Sequence, residues 1–359
     1  MGQEAVTSLN KNSARRDSLY DLLVIGTGPT GLACAIEAQR AGFSVVLVDK
    51  GCLCNSLFHY PAQMTFFTTP ELLEIGDMPF CTPNQKPTRA EALEYYRKVA
   101  EHYSLNLCPY ETVQSISGHD DQFTVHTTDR FNRPLAHRAR KLVLATGYYD
   151  LPNLLGIPGE QLSKVQHYYD DPHPFFGLDV VVIGGKNSAA IAALELWRHG
   201  ARVTLVHRGP QLHKHVKYWI LPDINNRIQN GAITAHFSSN VTRITEDDVT
   251  IATPGGSLTL PNQFVFAMTG YHPDFSFLQQ LGVRLEEAND RCPAYNPKTL
   301  ESNVPGIYLA GVILGGRRTN EIFIENGRLH GKLIAEDLQR KLASWPFMRP
   351  KWIDPGLPE

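Results

Sequence analysis

Two glycine-rich turns carry the first recognisable chemistry. In one, Gly26, Gly28 and Gly31 are spaced GxGxxG between an apolar run and a helical pattern, and Asp49 closes the next apolar run. The first glycine permits a tight turn, the second lets backbone approach a pyrophosphate, and the third lets helix and strand pack closely. A helix beginning there presents unpaired N–H groups and the positive end of its dipole to phosphate oxygens. A carboxylate about 20 residues further on, at Asp49, can accept from ribose hydroxyls. The second turn reads Gly184-Gly185-Lys186-Asn187-Ser188-Ala189, with Lys186 where the middle glycine usually stands and Ala189 at the close-packing position. Its following run ends in His207-Arg208. An acid there would repel a 2′-phosphate, whereas arginine pairs with one bidentately. Lys214, His215 and Lys217 follow closely enough to add to the same pocket. The first turn suits an adenosine with free ribose hydroxyls, as in FAD, and the second suits NADPH over NADH. Two dinucleotides in one chain imply hydride transfer from nicotinamide to flavin.

Alternating elements must position these turns. Strands are expected at Leu22–Ile25, Ser44–Val48, Phe123–Thr127, Lys141–Ala145, from Asp179 onward, and at Gly306–Leu309. Helical patterns cover Gly31–Gly42, Arg89–Tyr103 and the closing stretch 323–342. Residues 51–87 read as a long structured loop, a feature that in a folded domain is usually functional. The Pro/Gly-rich stretch LPNLLGIPGE (151–160) suits a crossing between domains.

Composition bounds the setting. The chain has 359 residues, 42% hydrophobic and 19% charged, enough for two domains with sizeable cores. A formal charge of −2 argues against nucleic acid or an acidic membrane surface as the main partner. No apolar run approaches the roughly 20 residues of a membrane helix. The first 17 residues lack an apolar core and read as a polar tail, and Met-Gly without Ser or Thr at position 6 does not meet the myristoylation motif. The six cysteines, Cys34, Cys52, Cys54, Cys81, Cys108 and Cys292, include no CxxC and no metal-ligand spacing, so no metal is expected and reduced cytoplasmic thiols are the default.

Four further stretches carry a family resemblance: NSLFHYPAQMTFFTTPELLEIGDMPF (55–80), VVIGGKNSAAIAALEL (181–196), VKYWILPDI (216–224) and NEIFIENGRLHG (320–331). With them the chain resembles the two-dinucleotide-domain flavoproteins of the thioredoxin-reductase type. Within that group it is most similar to the bacillithiol disulfide reductases (YpdA-like proteins), from about Tyr20 to Leu342. The resemblance implies an α/β fold of two Rossmann-like domains in a thioredoxin-reductase-like architecture. The FAD domain would comprise 18–160 and 273–343, returning at MTGYHPDFSFL (268–278), and the NADPH domain 161–272, with tails at 1–17 and 344–359. By the same resemblance Pro29, Thr30, Lys50, Asn55, Ala145-Thr146-Gly147, Gly311-Val312 and Glu321-Ile322, with Asn320, border FAD. Val312 replaces the usual acid there, so a carboxylate–ribityl bond is absent. Gly184, Gly185, Lys186, Asn187, Ser188, His207, Arg208 and Lys217 would border NADPH. A homodimer is implied too.

Two departures from the family pattern matter. Thioredoxin reductases carry a CxxC before the second glycine turn, where this chain has QHYYDDPHPFFG (166–177). The bacillithiol enzymes carry a cysteine in the first turn, where this chain has Thr30, whose hydroxyl cannot form a mixed disulfide. Cys54 and, less so, Cys52 lie in the loop expected to run along FAD, and the resemblance brings His59 and His167 near the flavin or nicotinamide. His330 falls in the closing helix. Thr30, Cys54 and His59 are therefore the catalytic candidates. The reading is an FAD- and NADPH-dependent oxidoreductase reducing a small disulfide. Electron transfer to ferredoxin or flavodoxin, for which the tail with Trp345, Phe347 and Trp352 would cap the flavin, and a non-catalytic redox sensor remain the alternatives. No FxGxxxHxxxW monooxygenase fingerprint follows Phe176-Gly177.

Overall fold

A computed structural model of the chain describes residues 18–342. The polar tail at 1–17 and the aromatic tail at 344–359 lie outside the described residues. Two units form, one from 18–58, 65–150 and 272–342, the other from 59–64 and 151–271.

The first unit opens with β1 (Leu19–Ile25), α1 (Pro29–Arg40) and β2 (Val45–Asp49). The helix starts before the expected Gly31 because Pro29 takes the first helical position, where no intrahelical N–H is needed. After the single turn α2 (Asn55–Phe58) comes α3 (Arg89–His102). Its start is fixed by a capping box: Thr88 Oγ1 accepts from Glu91 N–H and the Glu91 carboxylate accepts from Thr88 N–H at 2.8 Å. β3 (Leu107–Pro109) pairs with β2, and β4 (Glu111–His119), β5 (Gln122–Asp129) and β6 (Pro134–Leu144) form an antiparallel meander. β6 is far longer than its apolar end suggested, since its first half pairs with β5 and its second half runs parallel to β1.

The second unit holds β7 (Val165–Gln166), β8 (Asp179–Ile183), α4 (Asn187–Arg198), β9 (Arg202–Val206), α5 (Leu221–Gln229) and β10 (Thr234–His236). A second meander follows, β11 (Asn240–Ile244), β12 (Asp248–Thr253) and β13 (Gly256–Pro261), and then β14 (Phe264–Ala267). The parallel sheet has the order β10-β9-β8-β14-β7. Alternate residues of β8 serve two cores: Val180 and Val182 pack with Leu194 and Leu205, while Val181 and Ile183 pack with Val241 and Ile251 of the meander. A strand buried on both faces reads as an unbroken apolar run. The stretch 151–160 packs within this second unit. Glu160 accepts from Leu155 and Gly156 N–H at 2.6 and 2.7 Å, and Ile244 N–H donates to Pro158 O at 2.9 Å.

The chain then returns to the first unit through α6 (Phe275–Gln280), the short pair β15 (Leu285–Glu286) and β16 (Cys292–Pro293), and β17 (Ile307–Leu309) beside β6. The sheet order β3-β2-β1-β6-β5-β4, with β17 also on β6, puts the first glycine turn where the chain leaves β1 for β2 on one side while β6 lies on the other. Open α/β sheets bind ligands at such a switch point. The single helix expected over 323–342 is in fact two, α7 (Ile324–Gly327) and α8 (His330–Leu342). Asn326 accepts from Phe323 N–H at 2.8 Å and donates to Glu321 O, and Arg328 donates to the Glu71 and Glu74 carbonyls at 3.0 and 2.7 Å. These bonds hold the break. α8 crosses α1 closely at Gly331, where a Cβ would lie 2.7 Å from Ala33 O.

Candidate functional site

The three glycines of the first turn have separable reasons. Gly26 sits at φ +108°, in the region that disfavours side chains, and a Cβ there would overlap the Ala145 carbonyl. A Cβ at Gly31 would overlap the Gly26 carbonyl. Gly28 has neither constraint: its φ is −70° and a Cβ would meet nothing within 4 Å. The space over Gly28 is thus left open by the protein, beside a helix N-terminus with no side-chain cap and no acid in its first turn. A pyrophosphate fits that cradle, because it would supply both the missing neighbour and the acceptors for the free N–H groups.

Asp49 braces the same turn. Its Oδ2 accepts from Thr27 N–H at 2.7 Å and Thr27 Oγ1–H at 2.9 Å, and its Oδ1 accepts from Gly51 N–H at 2.9 Å. Thr27 was not among the residues singled out, since nothing in a GxGxxG spacing marks the residue between glycines as the partner of the strand-end acid. Lys50 pairs with Asp150 at 3.0 Å. Asn55 Oδ1 accepts from Cys52 N–H at 3.3 Å, with Gly51 close against its amide. Cys54 is buried and donates to Thr27 O at 3.5 Å through sulfur. Burial first, then the Asp49 and Cys52 charges, push its thiol well above the ordinary range. That environment keeps the proton on sulfur, the opposite of what a nucleophile needs. Cys52, half-buried, is shifted up for the same leading reasons.

Thr30 lies on the first turn of α1, with Gly311 and Gly327 backing it. A Cβ on either would approach its Oγ1, to 3.3 and 2.8 Å. Gly311 N–H donates to His330 Nδ1 at 3.0 Å. Burial pushes the His330 pKa down to about 4, so the ring is a neutral acceptor at that nitrogen. Gly147 stands 3.9 Å, measured from a Cβ position, from Ser56 Oγ, and Ala145 N–H donates to Ile25 O at 2.8 Å. The first unit therefore gathers Gly26, Gly28, Thr30, Ala145, Gly311 and His330 around the carboxyl ends of β1, β6 and β17. Val312 is half-buried and Glu321 exposed. His59 belongs to the second unit and is exposed, and His167 Nε2 lies 3.5 Å from Glu160 Oε1.

In the second unit, a Cβ at Gly184 would lie 2.5 Å from Met268 O, and Gly185 is covered by the His207 ring. Lys186 is exposed at the extended N-cap of α4, whose first turn also lacks an acid. The 213–217 segment folds back on this turn. His213 N–H donates to Gly185 O at 2.8 Å, Lys217 N–H to Asn187 Oδ1 at 2.9 Å, and Asn187 Nδ2 to His215 O at 3.2 Å. Those bonds keep Lys214, His215 and Lys217 near Lys186, His207 and Arg208. Burial, then Arg208 and His213, hold the His207 pKa below the usual imidazole value, and burial, then Lys186, His215 and Lys214, do so for His213. The cationic neighbours add to burial in lowering the two imidazoles, and a 2′-phosphate would fit among those cations. His213 escaped sequence reasoning because only the fold-back brings it to Gly185.

The family described as pyridine nucleotide-disulphide oxidoreductase matches residues 23–311. The chain is 44% identical over 322 residues to bacilliredoxin reductase Bdr of Bacillus subtilis (strain 168), covering 89% of this chain and 97% of that protein. Its structure is similar to that of bacillithiol disulfide reductase Bdr (YpdA) from Bacillus cereus, with a TM-score of 0.88 and 45% identity over 90% of this chain and 100% of the other. Thioredoxin reductase of T. acidophilum, at 22% identity, shares the fold with a TM-score of 0.70, over 90% of this chain and 99% of that one.

Proposed function

Since the chain belongs to the pyridine nucleotide-disulphide oxidoreductase family, we propose that it reduces a small disulfide of the bacillithiol type with electrons from NADPH. It is an oxidoreductase of thioredoxin-reductase-like α/β fold that uses FAD and a nicotinamide nucleotide. FAD, when bound, supplies the two-electron step between nicotinamide and disulfide, so that NADPH, one proton and the disulfide become NADP+ and two thiols. The observation that carries the reading is the pair of glycine turns with opposite endings, Asp49 on one and His207-Arg208 on the other.

The chain's own residues hold and orient. Gly26, Gly28 and Gly31 with the N-terminus of α1 would seat the FAD pyrophosphate, and Asp49, already braced by Thr27, would face the ribose. Pro29, Lys50, Asn55, Ala145, Thr146, Gly147, Gly311, Val312, Glu321 and Ile322 complete that assignment. Gly184, Gly185, Lys186, Asn187, Ser188, His207, Arg208 and Lys217 would seat NADPH, and Arg208 would select its 2′-phosphate. Thr30 can orient by hydrogen bond but offers no thiolate, and Cys54 is held as a thiol. Among the described residues no helix is long and apolar enough to cross a membrane. We further assign a reduced, cytoplasmic setting and a homodimer, the latter checked by light scattering.

The test is steady-state NADPH oxidation with bacillithiol disulfide, other low-molecular-weight disulfides, a bacilliredoxin, ferredoxin, flavodoxin, quinones and oxygen. Fastest turnover is expected with a disulfide. Turnover confined to ferredoxin or flavodoxin would replace this reading with one-electron transfer, and slow flavin bleaching with no acceptor would leave a sensor.

A further inference from the structure

In the first unit, three strands bring together a thiol, a carboxylate and an imidazole that neither dinucleotide site uses. Cys108 lies in β3, Glu111 opens β4 and His137 lies in β6. One ligand atom from each falls within 4.8 Å of the other two. Glu111 and His137 are 5% and 1% exposed, and Cys108 is half-buried and not disulfide-bonded. His137 Nε2 is 2.7 Å from Glu111 Oε2, which also accepts from Thr127 Oγ1 at 3.1 Å. His137 Nδ1, although buried, has no hydrogen-bond partner. An ion seated among the three would take His137 Nε2, a Glu111 oxygen and the Cys108 sulfur, replacing the His137–Glu111 hydrogen bond and leaving the ring hydrogen on Nδ1.

We infer that Cys108, Glu111 and His137 form a binding site for a divalent cation, with Zn2+ the ion the donor set selects. A sulfur–nitrogen–oxygen set suits Zn2+ in tetrahedral geometry, whereas Mg2+ and Ca2+ take oxygen ligands. A thiolate and a carboxylate together balance the dication, so the loaded site is neutral in a buried setting. On binding, the Cys108 S–H bond gives its proton to solvent as the S–Zn bond forms, and nothing is oxidised or reduced. The half-buried side of Cys108 leaves room for water as a fourth ligand. Cys108 pairs in register with Val48, the residue before Asp49, so the ion would tie the meander to the strand that braces the first turn. The spacing 108, 111, 137 matches no zinc motif because the ligands meet only through strand pairing.

The FAD-loaded protein, stripped with a chelator, is titrated with Zn2+ by calorimetry. One ion per chain is expected, bound about tenfold to a hundredfold more weakly by Cys108→Ser and by His137→Asn, with Cys52→Ser unchanged. Co2+ in place of Zn2+ should give intense ligand-field bands to the red of the flavin absorption, absent in Cys108→Ser. No uptake by the wild type, or equal uptake by wild type and Cys108→Ser, overturns the site. If His137→Asn does not fold, the Cys108→Ser comparison decides alone.

Discussion

Nothing within the protein forces Gly28 to be small, which is what the proposed pyrophosphate site would require. Gly26 and Gly31 are forced by carbonyls of the turn and its neighbouring strand, but a Cβ at Gly28 would strain nothing and touch nothing. Gly28→Val should therefore fold with near wild-type stability yet purify colourless, because the branched side chain fills the pyrophosphate cradle. A yellow Gly28→Val protein with full FAD content would end the assignment of the first turn. Thr30 makes a second residue-scale prediction. Its side chain fits against Gly311 and Gly327, and cysteine is no larger, so Thr30→Cys should fold. The new thiol, on the first turn of a helix, would have its pKa lowered and could attack a disulfide. Disulfide reductase activity should rise above that of the wild type. Strong bacillithiol disulfide reduction by the wild type, unchanged in a Cys52→Ser/Cys54→Ser double variant, would show that neither that loop's thiols nor one at position 30 is needed. The place of the glycines at the turn after β1 and of Asp49 at the end of β2 was legible because spacing alone encodes it. The Thr27–Asp49 bond, the protonated state of Cys54 and the fold-back of His213 were not, because each depends on where a loop returns in space.

The α7–α8 break and its neighbour Gly311 set the element-scale prediction. His330, at the start of α8, accepts from the Gly311 N–H and has its pKa lowered from about 6.5 to about 4 by burial. Between those values the unfolded chain binds a proton that the folded chain does not. Stability contributed by the neutral ring is present above about pH 6.5 and is lost as pH falls toward 4, by at most roughly 3 kcal/mol. Urea midpoints should fall through that window, and His330→Asn, which can offer an acceptor that does not titrate, should flatten the slope. An unchanged slope in His330→Asn would assign the acid sensitivity to other groups. Elements whose apolar runs were continuous, such as β1, β2, β8 and β9, were readable in sequence. β4 was not, since most of its positions face solvent and Glu111–His119 shows no apolar face. The meander β11–β13 and the first half of β6 share that polar alternation. The 323–342 helix was overextended because a polar contact, Arg328 with the Glu71 and Glu74 carbonyls, overrides a good local pattern.

At the scale of the whole molecule, each unit has its own core and its own glycine turn, so each ligand should stabilise one unit more than the other. Two-unit chains of this kind are expected to unfold in more than one calorimetric transition. NADP+ at about 100 times its Kd should stabilise the unit around β8 by about 2.7 kcal/mol, while FAD removal should destabilise the unit around β1. Arg208 is exposed beside the His207 ring that covers Gly185 and carries a fixed charge, whereas His207 and His213 are held neutral near pH 7 by burial and their cationic neighbours. On the proposed assignment, removing Arg208 would therefore take away the main permanent partner of the 2′-phosphate, a charge-assisted pair worth roughly 1.5–3 kcal/mol. Arg208→Ala should weaken NADP+ by about tenfold to a hundredfold and cut the stabilisation at the same concentration to about 0.4–1.4 kcal/mol. NAD+, which lacks that phosphate, should stabilise wild type and variant alike, and the FAD-dependent transition should not move. If NADP+ shifts wild type and Arg208→Ala equally, the basic ending of the second turn does not select the nucleotide, and the preference for NADPH must be sought in other residues.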